Sequence, residues 1–301
     1  MLVAPAVDAP MRPVIGIAHA AFAEGRRWGL ERLVGQLKEQ GVEPYVQVSE
    51  TPEHAQVWAR RLWAWAATQN APAILLNDDV TVSPDLVSRV DEMTDVLPDE
   101  LISLHCQLPA AKSLAEAGVT WLRSYWTSGP GYVLPPGVPA KLEDWISHTP
   151  STILGKWNED GYCNMFSFSR RRPQFHCLPA LVQHDCDIPS TLGYDKHTLR
   201  VATVDWADPL FASGLPQVRL DGPAPFVDNP WMTVTTLIAL EALRDMPGVP
   251  LPSAGLCFMC KERPPKFNSA STGAGVCGSC VSACVAASMG AGQPVLKAAP
   301  L

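Results

Sequence analysis

Two groups of residues in this chain have types and spacing that could do chemistry. The first is Asn77-Asp78-Asp79, which ends the apolar run Ala73-Ile74-Leu75-Leu76. Adjacent carboxylates repel each other, and burying them is costly unless a cation or hydrogen-bond donors are close. A hard divalent ion bridging Asp79 to a diphosphate would meet that need. The plainer reading is the turn that follows a strand. The second group is Cys257-Phe258-Met259-Cys260 and Cys277-Gly278-Ser279-Cys280, two Cys-X-X-Cys pairs with sixteen residues between them. Four thiolates at that spacing suit a tetrahedral structural Zn²⁺ site. A redox or disulfide pair is the rival, and Cys284, one turn on, is a spare thiol.

Positioning the carboxylates is work for regular elements. Val14–Ala18 reads as a strand, and Leu30, Leu33, Val34 and Leu37 follow with helical spacing, stopped by Gly41. Glu43–Val48 reads as a second strand. Thr51-Pro52 caps a helix whose stripe is Trp58, Leu62 and Trp65. The acidic strand comes next, then Ser83-Pro84 opens a helix through Leu86, Val90, Met93 and Leu97, then a strand at Leu101–His105. That alternation predicts βαβ units, an α/β fold with an open, largely parallel sheet flanked by helices. In such sheets ligands bind at the C-terminal edge of the strands, where Asn77-Asp78-Asp79 sits. Residues 118–150, rich in Trp, Tyr, Gly and Pro, read as long functional loops with short strands. Thr233–Met246 reads as a further helix. The predicted layout is a catalytic domain over 13–246, a linker over 247–255 and a zinc-binding finger over 256–290.

Composition narrows the partners. The chain has 301 residues, 47% apolar and 18% charged, with net charge −7, the profile of a globular protein with a sizeable core. An acidic total gives no general attraction to nucleic acid or anionic membrane, so a polyanion must meet a local basic patch. Ser169-Arg170-Arg171-Arg172-Pro173 is the one basic run, either a solvated loop or a phosphate contact. Asp8 and Arg12 interrupt any secretory signal, and no apolar run is long enough to span a bilayer. A cytoplasmic location is therefore expected. Nine cysteines, five of them between 257 and 284, fit reduced thiols binding metal.

The regular half, the acids after its third strand and the irregular second half together resemble the GT-A fold of nucleotide-sugar-dependent glycosyltransferases, over roughly residues 13–210. Asn77-Asp78-Asp79 stands where that family has its Asp-X-Asp motif. The resemblance implies that Asn77 faces the donor ribose, that Asp79 binds Mn²⁺ or Mg²⁺, and that Asp78 supports it. Gly155-Lys156-Trp157-Asn158-Glu159-Asp160-Gly161-Tyr162 looks like the Trp–Glu–Asp segment of inverting members. That likeness makes Asp160 the base for an acceptor hydroxyl, with Glu159 orienting the acceptor or serving instead. His184, in Leu181-Val182-Gln183-His184-Asp185, matches the late histidine that completes the family's metal site, and imidazole with oxygen ligands suits Mn²⁺. Arg26 or Arg27, close after the first strand, would contact donor phosphates, although arginines at a helix start are commonly surface residues. Trp121, Tyr125, Trp126, Tyr132 and Trp157 offer flat faces for sugar or base, or simply core.

The tail resembles a treble-clef or zinc-ribbon finger, which about forty residues could not form without a metal staple. A glycosyltransferase with such a finger and a basic run is similar to bacteriophage enzymes that glycosylate hydroxymethylated bases in DNA. The acceptor expectations are therefore a modified DNA base, a protein side chain or a glycan. The competing readings are a catalytically inactive nucleic-acid- or protein-binding module, and a metal-dependent nucleotidyltransferase that would release pyrophosphate.

Overall fold

The computed structural model describes residues 12–108, 110–125, 129–149, 159–170, 172–191, 201–217, 224, 267–268 and 275–276. The elements are β1 (Val14–Ala20), α1 (Arg26–Glu39), β2 (Tyr45–Ser49), α2 (Ala55–Ala67), β3 (Ala73–Asn77), β4 (Val80–Val82) and α3 (Leu86–Val96). Then come β5 (Ile102–Ser103), α4 (Ala110–Glu116), β6 (Trp121–Ser124), β7 (Gly131–Leu134), α5 (Val138–His148), α6 (Glu159–Ser169), β8 (Gln174–Cys177) and β9 (Val182–His184). A short hairpin pairs β10 (Phe267–Asn268) with β11 (Gly275–Val276).

Seven strands form one mixed sheet in the order β2-β1-β3-β7-β5-β8-β6. β1 runs parallel to β2 and β3, and β5 parallel to β8, whereas β7 is antiparallel to both its neighbours and β6 is antiparallel to β8. Five strands thus share one direction. Consecutive buried residues of β3 serve opposite faces, as the two-residue strand period requires. Ile74 and Leu76 join Leu33, Leu37, Leu86 and Val90 beneath α1 and α3. Ala73 and Leu75 join Leu62, Trp63, Leu142 and Phe166 beneath α2, α5 and α6. A strand covered on both faces reads as a continuous apolar run, and Ala73–Leu76 does.

The predicted β-α-β-α-β order from 14 to 77 is present, and Gly41 ends α1 in the left-handed region at φ 77°. Three details differ. α2 begins at Ala55, not at Thr51-Pro52, where Glu53 instead reaches Arg61. α3 begins after Asp85, because the Ser83 N–H donates to Leu181 O at 2.9 Å and Ser83 stays with the strand before it. The stretch 118–150, expected as loops, holds β6, β7 and the eleven-residue helix α5. Val138, Leu142 and Ile146 form the buried face of α5, which opens at Gly137 with φ 75°. The predicted helix at 233–246 and the linker lie outside the described residues.

Candidate functional site

β3 stops at Asn77 on the C-terminal edge of the sheet, and Asp78-Asp79 turn the chain into β4. Both acids are buried, Asp78 at 1% and Asp79 at 3% exposure. Donors surround Asp78. His19 Nδ1 lies 2.7 Å from Oδ2, the Ala20 N–H donates to the same oxygen at 2.9 Å, and the Arg26 guanidinium donates to Oδ1. Arg26 also holds Asp79 Oδ2 at 3.0 Å. Both oxygens of Asp78, expected to face a donor or support a metal, are engaged by groups of the chain itself.

The first turn of α1 can reach these acids because residue 29 is glycine. A Cβ there would stand 2.5 Å from the Asp78 carbonyl oxygen and 2.4 Å from Ile188 Cδ1. Real Cβ atoms do not approach so closely, so any larger residue pushes α1 away and Arg26 with it. An isolated glycine inside a helical pattern signals such a contact. The sequence reading missed it.

Arg26 and Arg27 do not serve as the phosphate contacts expected of them. Arg26, 5% exposed, is spent on the two aspartates. The Arg27 side chain, 88% exposed, pairs with Glu31 on the outside of α1. Arg32, on the same helix, binds Asp185 and donates to Val80 O at 3.1 Å. All three arginines of α1 are thus paired within the chain, and an anionic ligand would face carboxylates here.

His184 reaches the site through strand pairing. β4 and β9 run antiparallel with Val80 opposite His184, and the Asp185 N–H donates to Asp79 O at 2.8 Å. This brings His184 Nδ1 to 3.6 Å from Asp79 Oδ2 across more than a hundred residues of chain. Behind it sits His105, its ring centroid 5.7 Å from that of His184 and its Nδ1 3.0 Å from Val182 O. Burial first, then the neighbouring His184, pushes the His105 pKa down to about 3, so it stays a neutral imidazole.

Glu159 and Asp160 open α6 and complete the cluster. The Asn77 side chain hydrogen-bonds Glu159 and also donates from Nδ2 to Gly129 O at 3.3 Å. Gly129 makes room, since a Cβ on it would stand 2.8 Å from Glu159 Oε1. Burial, then the Asp160 charge, raises the Glu159 pKa to about 8, with Asp79 contributing in the same direction. Burial also raises Asp160, to about 6, against the pull of the Gly161 N–H, which donates to Oδ1 at 2.8 Å. Burial raises both carboxyls, and the Asp160 charge pushes Glu159 up further than its neighbour, so Glu159 is the one that holds its proton more readily.

Other expected contacts fall elsewhere. Trp121 and Tyr132 are buried core residues, Tyr132 accepting a hydrogen bond from Trp63 Nε1 at 2.9 Å, and Tyr125 is buried as well. None of the three offers a face to a ligand. Trp126, Trp157 and Arg171 lie outside the described residues, as do Cys257, Cys260, Cys277 and Cys280. Arg170 lies over the Phe166 ring and Arg172 pairs with Glu100. These two follow the C-terminus of α6, about 15 Å along that helix from Asp160, at the entry of β8 and so at the opposite edge of the sheet from the end of β3.

The donor set near Asp79 fits a divalent ion of a particular kind. Among the described residues no three His, Cys, Asp or Glu side chains gather as a ready-made metal cage. Asp79 and His184 would supply two ligands, a number that suits Mg²⁺ or Mn²⁺ sharing its remaining positions with phosphate oxygens and water.

No protein-family model matches the chain, and no curated protein matches it significantly. Two solved structures share part of its backbone course. One is a glycosyltransferase involved in glycosylation of the major capsid of PBCV-1, 16% identical, with TM-score 0.34 over 58% of this chain and 95% of that one. The other, from Bacillus anthracis, is described as a glucose-1-phosphate thymidylyltransferase in complex with sucrose, 10% identical, with TM-score 0.35 over 57% of this chain and 89% of that one. No helix among the described residues is long and apolar enough to cross a membrane.

Proposed function

We propose that this chain is an inverting glycosyltransferase of the GT-A type, moving a sugar from a nucleotide-sugar donor to an acceptor hydroxyl. The observation that carries the proposal is the convergence of Glu159-Asp160 with Asn77 and Asp79 at one sheet edge, with Asp160 raised to about 6. A carboxylate of that basicity, ionised at neutral pH, suits removal of a hydroxyl proton. A nucleotidyltransferase has less use for it, because its sugar-phosphate nucleophile is already deprotonated. A pure binding module has no use for three buried carboxyl groups beside the half-buried Asp160, each of which costs stability.

The reaction follows. Asp160 takes the proton of the acceptor hydroxyl, and the oxygen forms a bond to the anomeric carbon on the face opposite the diphosphate. The glycosidic oxygen departs with its electron pair on the nucleoside diphosphate. Glu159, protonated, orients the acceptor, and Asn77 lies where it can hydrogen-bond the donor. A divalent ion, Mn²⁺ or Mg²⁺, bound by Asp79 and His184, would supply positive charge to the diphosphate. The acceptor class stays open among modified DNA, protein and glycan. Arg170 and Arg172, engaged by Phe166 and Glu100 away from the site, lend the DNA reading no support there.

The test is release of a nucleoside diphosphate from a panel of nucleotide sugars with Mn²⁺ present. Asp79→Ala should cut that release by about a hundredfold or more. Pyrophosphate release instead would identify a nucleotidyltransferase, and no donor-dependent thermal shift across the panel would favour the binding module.

For the tail, the proposal is one Zn²⁺ held by Cys257, Cys260, Cys277 and Cys280. The antiparallel pairing of Phe267-Asn268 with Gly275-Val276, which immediately precede Cys277, supports it. Metal analysis of the purified protein should return about one equivalent of zinc, lost when Cys257 and Cys260 become serine.

A further inference from the structure

Arg26 joins two consecutive carboxylates that have different surroundings. Asp78 has the Ala20 N–H and His19 Nδ1 on Oδ2 besides Arg26 on Oδ1, so it is satisfied within the chain. Asp79 Oδ2 meets Arg26 Nη2 at 3.0 Å and His184 Nδ1 at 3.6 Å. The guanidinium therefore lies on the Asp79 oxygen that also faces His184. Arg26 Nε is buried with no hydrogen-bond partner, so the two aspartates are what hold its guanidinium. One guanidinium cannot by itself neutralise two carboxylates.

We propose that Arg26 is a built-in stand-in cation. In the metal-free protein its single charge is shared between Asp78 and Asp79, and it competes with a divalent ion for Asp79 Oδ2, so it sets the affinity of the site for metal. The inference rests on reading Asp79 and His184 as metal ligands. It adds that the residue beside them weakens metal binding while making the empty site stable. A cation held only loosely until phosphate oxygens arrive would bind together with the donor instead of ahead of it.

The test uses the full chain and Mn²⁺ alone, read by calorimetric titration and by thermal melting with and without the ion. Arg26→Met removes the charge at similar length. It should bind Mn²⁺ at least roughly tenfold more tightly than wild type, because one more uncompensated carboxylate charge faces the ion. Its metal-free melting temperature should fall, and Mn²⁺ should raise it by more than in wild type. Arg26→Lys, which keeps a unit charge, should stay within about threefold of wild type. Equal or weaker binding in Arg26→Met overturns the inference and leaves the metal reading intact. If Arg26→Met folds only with Mn²⁺ present, the ion is taking the place of the guanidinium, as proposed. If it fails to fold in both conditions, no such exchange occurs and the inference fails. Absence of Mn²⁺ binding in all three proteins removes the metal reading along with it.

Discussion

Asp160→Asn is expected to lower turnover by about 10²–10⁴-fold, the range for loss of a general base, while donor affinity changes by less than about threefold. The amide keeps the shape of the carboxylate and can still accept from the Gly161 N–H, so the start of α6 should hold its geometry. What it cannot do is take a proton. Stopped-flow or end-point measurement of nucleoside diphosphate gives turnover, and calorimetry with the nucleotide sugar gives affinity. The neighbouring Glu159→Gln should behave differently. Glu159 keeps its proton to about pH 8, so an amide already resembles its working form, and turnover should fall by less than about tenfold. In wild type, kcat should rise with pH through about 6 as Asp160 ionises. A variant Asp160→Asn retaining more than a tenth of wild-type turnover would move the base elsewhere, and an equal loss in both variants would point to damage at the helix start.

Much of the frame that positions this site was legible because periodicity is local. The spacing of Leu30, Leu33, Val34 and Leu37 and the unbroken Ala73–Leu76 run depend only on neighbours in the chain, and α1 and β3 appear where those patterns lie. Placing Asn77-Asp78-Asp79 at a sheet edge needed only the βαβ rule. Strand order is a different matter. β7 enters antiparallel between β3 and β5, and nothing in its four residues announces which strands it will join. The β4–β9 pairing that brings His184 to Asp79 links segments a hundred residues apart. Three-residue strands carry too little pattern to be seen in advance.

Arg26 was the residue most misread, for a physical reason. Two arginines at a helix start look alike in sequence, and their difference is made by tertiary contact. Arg27 points outward to Glu31, whereas Arg26 points inward because Gly29 lets α1 sit against the Asp78 carbonyl. The aromatic residues failed in the same way. Trp121 and Tyr132 have types that suit a sugar face, but both side chains are buried in the core. Helix α5 was hidden by the glycine and prolines around its start, although its apolar residues keep a helical spacing.

The buried pair at α6 also predicts how stability responds to pH. The Glu159 carboxyl has an ordinary pKa of 4.5 when exposed and about 8 in the folded chain. Between those values the folded protein holds a proton that the unfolded chain has released, so stability must fall as pH rises through that window and level off above it. Asp160 adds to the fall in the lower part, between 3.8 and about 6. Melting in the presence of a chelator should therefore show wild type less stable at pH 8.5 than at pH 5.5. Glu159→Gln, which has no charge to bury, should gain on wild type by on the order of 3 kcal/mol between pH 5.5 and pH 8.5, or about 5 °C or more. Parallel curves for the two proteins would mean that Glu159 is solvated, and the Asp160 assignment would lose its support as well. The same burial that weakens the fold at high pH makes Asp160 basic enough to accept a hydroxyl proton, so the instability is expected to sit where the chemistry does.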